Sequence, residues 1–465
     1  MKSRELRNLG IPAGESVAVA QGCVAAGARS GMKTPRLREI VRAVVDRPSE
    51  YKEDPNFGPL ARQLIRIAEA RSHYRPRGGT APYRKWGNDL DAQSIQQMEN
   101  ACSLPVSVRG ALMPDAHVGY GLPIGGVLAV RDAVIPYAVG VDIACRMKMT
   151  AYDLPPDLLV KRPDLLRKAI EDETRFGIGA SFRNRRTHAV MDDDWTITGV
   201  TRQLKDKAWA QLGTSGSGNH FVEFGLLELG DDALGLEPRV YLALLSHSGS
   251  RGTGATIAAH YSRLAMQRHP ELPPELRHLA WLDLASEEGR EYWAAMELMG
   301  RYASANHACI HRHIARHVGA RVLLDLENHH NFAWREEHDG ESLIVHRKGA
   351  TPAGKGVIGI IPGSMASSTY VVRGKGNPAS LESAAHGAGR AMSRTKAKET
   401  FRWKQAQAVL AERGVTLISA GLDEVPMVYK DIEKVMAAQS DLVEPIARFA
   451  PKLVKMAPEG ERPED

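Results

Sequence analysis

Cysteine is scarce: Cys23, Cys102, Cys145 and Cys309 are spread over 465 residues, and none forms a C-x-x-C pair. That scarcity excludes a disulfide-stapled scaffold and a thioredoxin-type motif, and it predicts a reducing, cytoplasmic setting. Long apolar runs are missing too. The weakly apolar stretch 11–31 is broken by Glu15 and several glycines, and no 18-residue apolar run occurs, so neither a secretory leader nor a membrane span is expected. There is no G-x-x-x-x-G-K-[ST], which excludes a P-loop phosphate cradle, and no H-E-x-x-H, which excludes that class of zinc protease. His307, His311, His313 and His317 do fall at helical i,i+4 spacings, but Ala308 and Ile314 stand where the glutamate base belongs. These four are therefore read as structural or solvent-facing.

What is present is ordinary for a globular chain: 43% hydrophobic and 25% charged residues. Length alone suggests about three domains. The net charge of +6 is localised, because residues 1–100 carry 17 Lys and Arg against 11 Asp and Glu while the remainder balances. Basic amphipathic helices are predicted at 35–46 and 60–71, followed by a Pro/Gly/Arg-rich linker at 75–83. Residues 1–85 thus read as a basic helical appendage able to meet an acidic polymer such as nucleic acid; the alternative is a solvated helical face. From Trp86, β-type runs at 121–130 and 356–363 mix with helical stretches near 254–268, 286–317 and 379–412. That mixture predicts an α/β or α+β class. The polar stretch 457–465 reads as a disordered tail.

Five glycine-rich or polar segments carry the chemistry: "MPDAHVGYG" at 113, "GVDIAC" at 140, "GSGNHFVE" at 216, "SHSGSRG" at 246 and "NHHNF" at 328. Glycine there permits sharp turns and close approach of a ligand. Asp142 and Cys145 are three apart, so a carboxylate and a thiolate can reach one cation, or the sulfur can bridge two. With His220, His247 and His330 they make five ligands of mixed hardness, enough for a two-metal site, and ligand type alone suggests zinc. Taken singly, Cys145 is a small core residue and each histidine a hydrogen-bonded one; the set carries the reading. "HRKGATPAG" at 346 and "IIPGSMASSTY" at 360 add basic groups, hydroxyls and backbone amides suited to an anion. "SAAHGAGRAMSR" at 383 sets His386 among alanines and glycines with no acid close by in sequence.

In this order, the segments resemble the RtcB family of RNA-splicing ligases over residues 86–456. The resemblance implies one distinctive α/β catalytic fold at 86–456 rather than three domains. It implies joining of RNA 3'-phosphate or 2',3'-cyclic phosphate ends to 5'-hydroxyl ends, in repair or tRNA splicing, with GTP and two Mn2+ ions. Asp142, Cys145, His220, His247 and His330 look like the metal ligands, Cys145 bridging. His386 looks like the nucleophile that becomes guanylylated, and Asp115 resembles a residue of the later ligation step. Asn219, Glu223, Asn331, Ser364, Gly389, Tyr429 and Lys455 look like contacts to the nucleotide or metal, and Arg390 and Arg394 to phosphates. An archease-type activator is among the partners the family implies. Ala144 stands where the family commonly has Gly, and Ala366 and Thr369 where Gly and Ser are usual, so an added methyl is expected to crowd the nucleotide loop. With the appendage, these departures suggest a divergent paralogue. Two other readings remain open: a catalytically weakened module that binds RNA ends or nucleotides, and a metal-dependent phosphoesterase.

Overall fold

Leu37, Val41 and Val44 recur at i, i+4 and i+7, one helical stripe, and in the computed structural model helix Thr34–Asp46 buries all three. Residues 1–12, 15–73 and 77–462 are described. Helices Ser3–Asn8, Glu15–Arg29 and Gly58–His73 join it around Leu6, Ala20, Phe57 and Leu60. Both helices predicted near the N-terminus are present, with two more before them. Of the predicted linker, 75 and 76 lie outside the described residues. Its last residue, Tyr83, already opens a strand, Tyr83–Lys85, that pairs in parallel with Gly110–Leu112.

Two large sheets, with two minor two-stranded ones, organise the rest. The smaller runs in the order Tyr83–Lys85, Ser107–His117, Ile124–Val130, Glu341–Lys348 and Asn331–His338. The larger runs Ile358–Ile361, Thr369–Gly374, Val443–Met456, Phe221–Leu229, Val240–Ser248, Arg146–Tyr152 and Val322–His329, with Thr416–Ser419 beside Val443–Met456. The sheets share a core in which Val127, Ala129 and Val345 of the smaller pack with Ile361, Val372 and Val443 of the larger, and at His330 the chain passes from one to the other. Strand Val322–His329 leaves the larger sheet, and after His330 strand Asn331–His338 enters the smaller. Helices Arg251–Arg268 and Glu287–Val318 pack together over Tyr261, Tyr292 and Tyr302, each fully buried. The chain is the mixed α/β protein its patterning predicts.

The predicted helix at 379–412 is not one element. It divides into strand Ser383–Ala385, a turn carrying His386, and helices Arg394–Thr400 and Trp403–Glu412. Alanine favours helix locally, but Ala384 and Ala385 pair with Thr351 and Ala350, and tertiary pairing decides. Of 457–465, residues 457–462 are described, with Ser217 Oγ donating to the Arg462 carbonyl at 2.6 Å and Trp403 Nε1 to Glu459 at 3.0 Å. Residues 463–465 lie outside the described residues. Among the described residues no helix is long and apolar enough to cross a membrane.

Candidate metal centre and nucleotide cavity

Strand register brings the site together. Phe221 pairs with His247, Met147 with His247, and Arg146 with both Ser248 and His329. The residues just outside those pairs, His220, Cys145 and His330, therefore share one sheet end with His247. His386 follows its own short strand into the same space. All five line a cavity of about 850 Å3, together with Asp142, within the usual range for a ligand site.

The histidine tautomers can be assigned from their partners. His247 Nδ1 lies 3.1 Å from the Asn219 carbonyl oxygen, which only accepts, so Nδ1 carries the proton and Nε2 a lone pair. That Nε2 stands 3.1 Å from Cys145 Sγ and 3.2 Å from His330 Nε2. Cys145 Sγ is also 3.4 Å from His220 Nε2, which is 3.0 Å from an Asp142 oxygen. Two ligand triads result, Asp142/Cys145/His220 and Cys145/His247/His330, each with its donor atoms within 4.8 Å of one another. Cys145 belongs to both.

Burial, reinforced by neighbouring imidazoles, lowers His247 to about 3 and pushes His330 well below the usual range. Both rings are neutral at pH 7 and offer lone pairs. Burial pushes the Asp142 carboxyl up, yet His220, Cys145 and Arg251 outweigh it and the net direction is down. A thiol, a carboxylate and neutral imidazoles converging on one point fit divalent cations better than any hydrogen-bonded core. The Asp142 loop is also braced for the purpose. Its Oδ1 accepts from Ser250 N–H at 3.1 Å, and Ala144, at φ +58°, donates its N–H to the Asn331 carbonyl at 2.7 Å.

His386 is oriented by an acid far away in sequence. Its Nδ1 lies 2.7 Å from Asp115 Oδ2, which also accepts the His386 backbone N–H at 3.2 Å. Asp115 is wholly buried. With Nδ1 engaged, Nε2 is left for the cavity, and the ring centroid stands 4.9 Å from that of His330. Gly389 has φ +73°, and a Cβ there would meet the Asp115 carbonyl oxygen at 2.2 Å, so only glycine permits this approach. Lys430 Nζ donates to the carbonyls of Pro114 and Ala116, at 3.2 and 2.9 Å, clamping the segment that carries Asp115. Sequence reasoning missed Lys430 and His117, whose ring bonds the Asp115 carbonyl at 3.0 Å.

The other anticipated contacts divide. Asn219, Glu223, Ser364, Gly389 and Tyr429 line the cavity. Glu223 is buried, and burial pushes its carboxyl well above the usual range. Asn331 lines it too, but its amide accepts from Gly349 N–H at 2.8 Å and donates to the Asp142 carbonyl at 3.3 Å, so it holds loops. Arg390 donates to the Asp423 carbonyl at 2.9 Å and to Glu424 at 3.3 Å, and Arg394 to Asp423 at 3.1 Å. Both arginines line the cavity already engaged by acids. Lys455 is not brought to the cavity. Val454 and Met456 line it, so alternation turns Lys455 to the opposite face, 3.8 Å from Glu171 and 5.7 Å from the Phe176 ring centroid. Ala366 packs in a small core with Leu410, Val454 and Met456, so its methyl is absorbed there, against the crowding expected; Thr369 does line the cavity.

Residues 97–456 match the family model described as tRNA-splicing ligase RtcB. The RNA-splicing ligase RtcB of Escherichia coli K12 is 36% identical over 403 residues, covering 79% of this chain and 95% of that protein. The tRNA-splicing ligase RtcB of Nanoarchaeum equitans is 32% identical, covering 78% and 91%. The RNA-splicing ligase RtcB of Mycobacterium tuberculosis H37Rv is 33% identical, covering 76% and 98%. On these matches, which span most of both chains, the chain belongs to the RtcB family.

Proposed function

We propose that this protein is a GTP- and Mn2+-dependent RNA ligase that joins 3'-phosphate or 2',3'-cyclic phosphate ends to 5'-hydroxyl ends through guanylylated His386. The observation that carries the reading is the His386–Asp115 pair beside two ligand triads that share Cys145. Asp142, Cys145 and His220 would hold one ion and Cys145, His247 and His330 the other. Bound there, such ions neutralise phosphate oxygens and ease departure of pyrophosphate.

The chain's own residues supply the rest. His386 attacks the α-phosphorus of GTP through the lone pair on Nε2; the N–P bond forms, the bond to the bridging oxygen breaks, and pyrophosphate leaves. The proton on Nδ1 stays shared with Asp115, whose carboxylate balances the positive ring. An oxygen of the RNA 3'-phosphate then displaces His386 from the guanylate. The 5'-hydroxyl attacks that activated phosphate, loses its proton and expels GMP. A cyclic end must first be hydrolysed to the 3'-phosphate. Ser364 and Tyr429, which line the cavity, would contact the guanylate and Glu223 the phosphates, metal or guanine, and Arg390 and Arg394 would reach phosphates by exchanging Asp423 and Glu424 for them. A cytoplasmic setting and an archease-type activator belong to the same reading.

Radiolabelled GTP with Mn2+ should label the wild-type protein, adding one guanylate to its intact mass, and leave His386→Ala unlabelled. Equal labelling of both rejects the nucleophile. Cleavage of phosphate esters by the zinc-loaded protein, with no joined product and no label, identifies a hydrolase instead.

A further inference from the structure

Two large apolar side chains stand exposed within three residues of each other at the rim of the cavity, Val118 at 45% and Tyr120 at 63%. Water should favour hiding such a ring, yet this one is held out. The Gln97 amide grips Gly119 from both sides, donating to its carbonyl at 2.5 Å and accepting its N–H at 3.0 Å. Lys348 Nζ donates to the Tyr120 carbonyl at 2.5 Å. The Tyr120 ring rests against Tyr137 and His278, with centroids 6.4 and 6.0 Å away, and those two stack on each other at 4.9 Å with planes 12° apart. Burial and the nearby Lys348 hold His278 below its usual pKa, so its ring is neutral. Three rings and three hydrogen bonds thus fix an exposed aromatic surface, which lowers the entropy lost when a flat ligand lands on it.

Tyr120 and Tyr137 line the same cavity as His386. A polymer whose end reacts in this cavity has to leave across its rim, where Tyr120 is exposed to meet the next residues. The rim also carries Asp89 and Asp91, both exposed, and Asp91 caps the helix from which Gln97 reaches. Charge of both signs surrounds the rings, with Arg263 acting on Tyr137 and Lys348 and Arg277 on His278, so charge does not select the contact, and the flat ring faces favour a base.

We propose that the Tyr120–Tyr137–His278 cluster is a stacking platform for an unpaired nucleobase of the RNA, next to the end that reacts. The assignment rests on the RNA-ligase reading above. It adds a site that recognises a base by its flat face, without sequence preference.

The test uses the full-length protein and an oligonucleotide bearing a 3'-phosphate, with and without abasic positions at the last two nucleotides. Tyr120→Ala should raise the KM for the intact oligonucleotide roughly ten- to hundredfold, the range base–aromatic stacking supplies. Tyr120→Phe and Tyr120→Trp should stay near wild type. The penalty should persist at high salt and vanish with the abasic oligonucleotide. Four results overturn the platform: wild-type KM for Tyr120→Ala, an equal loss in Tyr120→Phe, a penalty that fades with salt, or one that survives removal of the bases. Guanylylation of His386 by GTP and Mn2+ without RNA is measured on the same samples. If the wild-type protein takes no label, the underlying ligase reading fails; if it labels and the KM is insensitive to Tyr120, only the platform fails.

Discussion

The pairing of Asp115 with His386 makes a quantitative claim. In Asp115→Asn, one atom must still accept two hydrogen bonds, from the ring Nδ1–H and the backbone N–H of His386. Only the amide oxygen can do so. The amide NH2 therefore turns to the Oδ1 position, which is buried and has no hydrogen-bond partner among the described residues. The reactive tautomer survives, and the negative charge that steadies a ring turning cationic on guanylylation is lost. Two unit charges about 4 Å apart interact by about 4 kcal/mol at an effective dielectric near 20, and exchanging a charge-assisted for a neutral hydrogen bond forfeits about 1–2 kcal/mol. The barrier should rise by about 2–4 kcal/mol, slowing guanylylation about 30- to 1,000-fold. Asp115→Ala, which also releases the tautomer, should lose more. Single-turnover labelling with GTP, at matched thermal stability, measures both. If Asp115→Asn labels at the wild-type rate but fails to join ends, the positioning argument is wrong and Asp115 acts in the later step.

Ala144→Gly should leave stability nearly unchanged. Relief of the left-handed alanine is worth about 1–2 kcal/mol, while the freer unfolded glycine costs about 0.4–1 and the buried methyl about 0.8; a denaturation shift above about 2 kcal/mol in either direction refutes that balance. Glu223→Gln should stabilise the ligand-free protein at pH 8 and change little at pH 4. Burial raises the folded-state pKa of Glu223 above the unfolded value, so the folded form loses stability as pH climbs from the ordinary glutamate range towards the raised value. Thermal unfolding of both forms at the two pH values checks the sign. Deleting residues 1–73, which spares the Tyr83–Lys85 strand, should weaken RNA binding and flatten its salt dependence by about 0.7 in log–log slope for each RNA phosphate that the appendage neutralises. An unchanged slope in a salt titration removes the electrostatic role of the appendage.

The sequence alone determined the chemistry on offer. Asp142 and Cys145 sit in one turn, so their partnership is local and legible, and histidines in polar segments, two of them with a glycine two residues away, announced the remaining ligands. Helix Thr34–Asp46 and the strands at 124–130 and 358–361 were equally readable, since their periodicity is set by contacts within the element. Tertiary structure alone decided which groups act on which. Asp115 and His386 are 271 residues apart, and the pairing of Ser383–Ala385 with Ala350–Pro352, against local helical preference, together with the close approach at Gly389 brings them together. Strand alternation sends Lys455 away from the cavity although its neighbours line it. Arg390 and Arg394 carry their charge in any fold, but packing set Asp423 and Glu424 against them. Side-chain type is written residue by residue, whereas register is a property of the whole sheet, chosen by which long-range pairings bury most apolar surface.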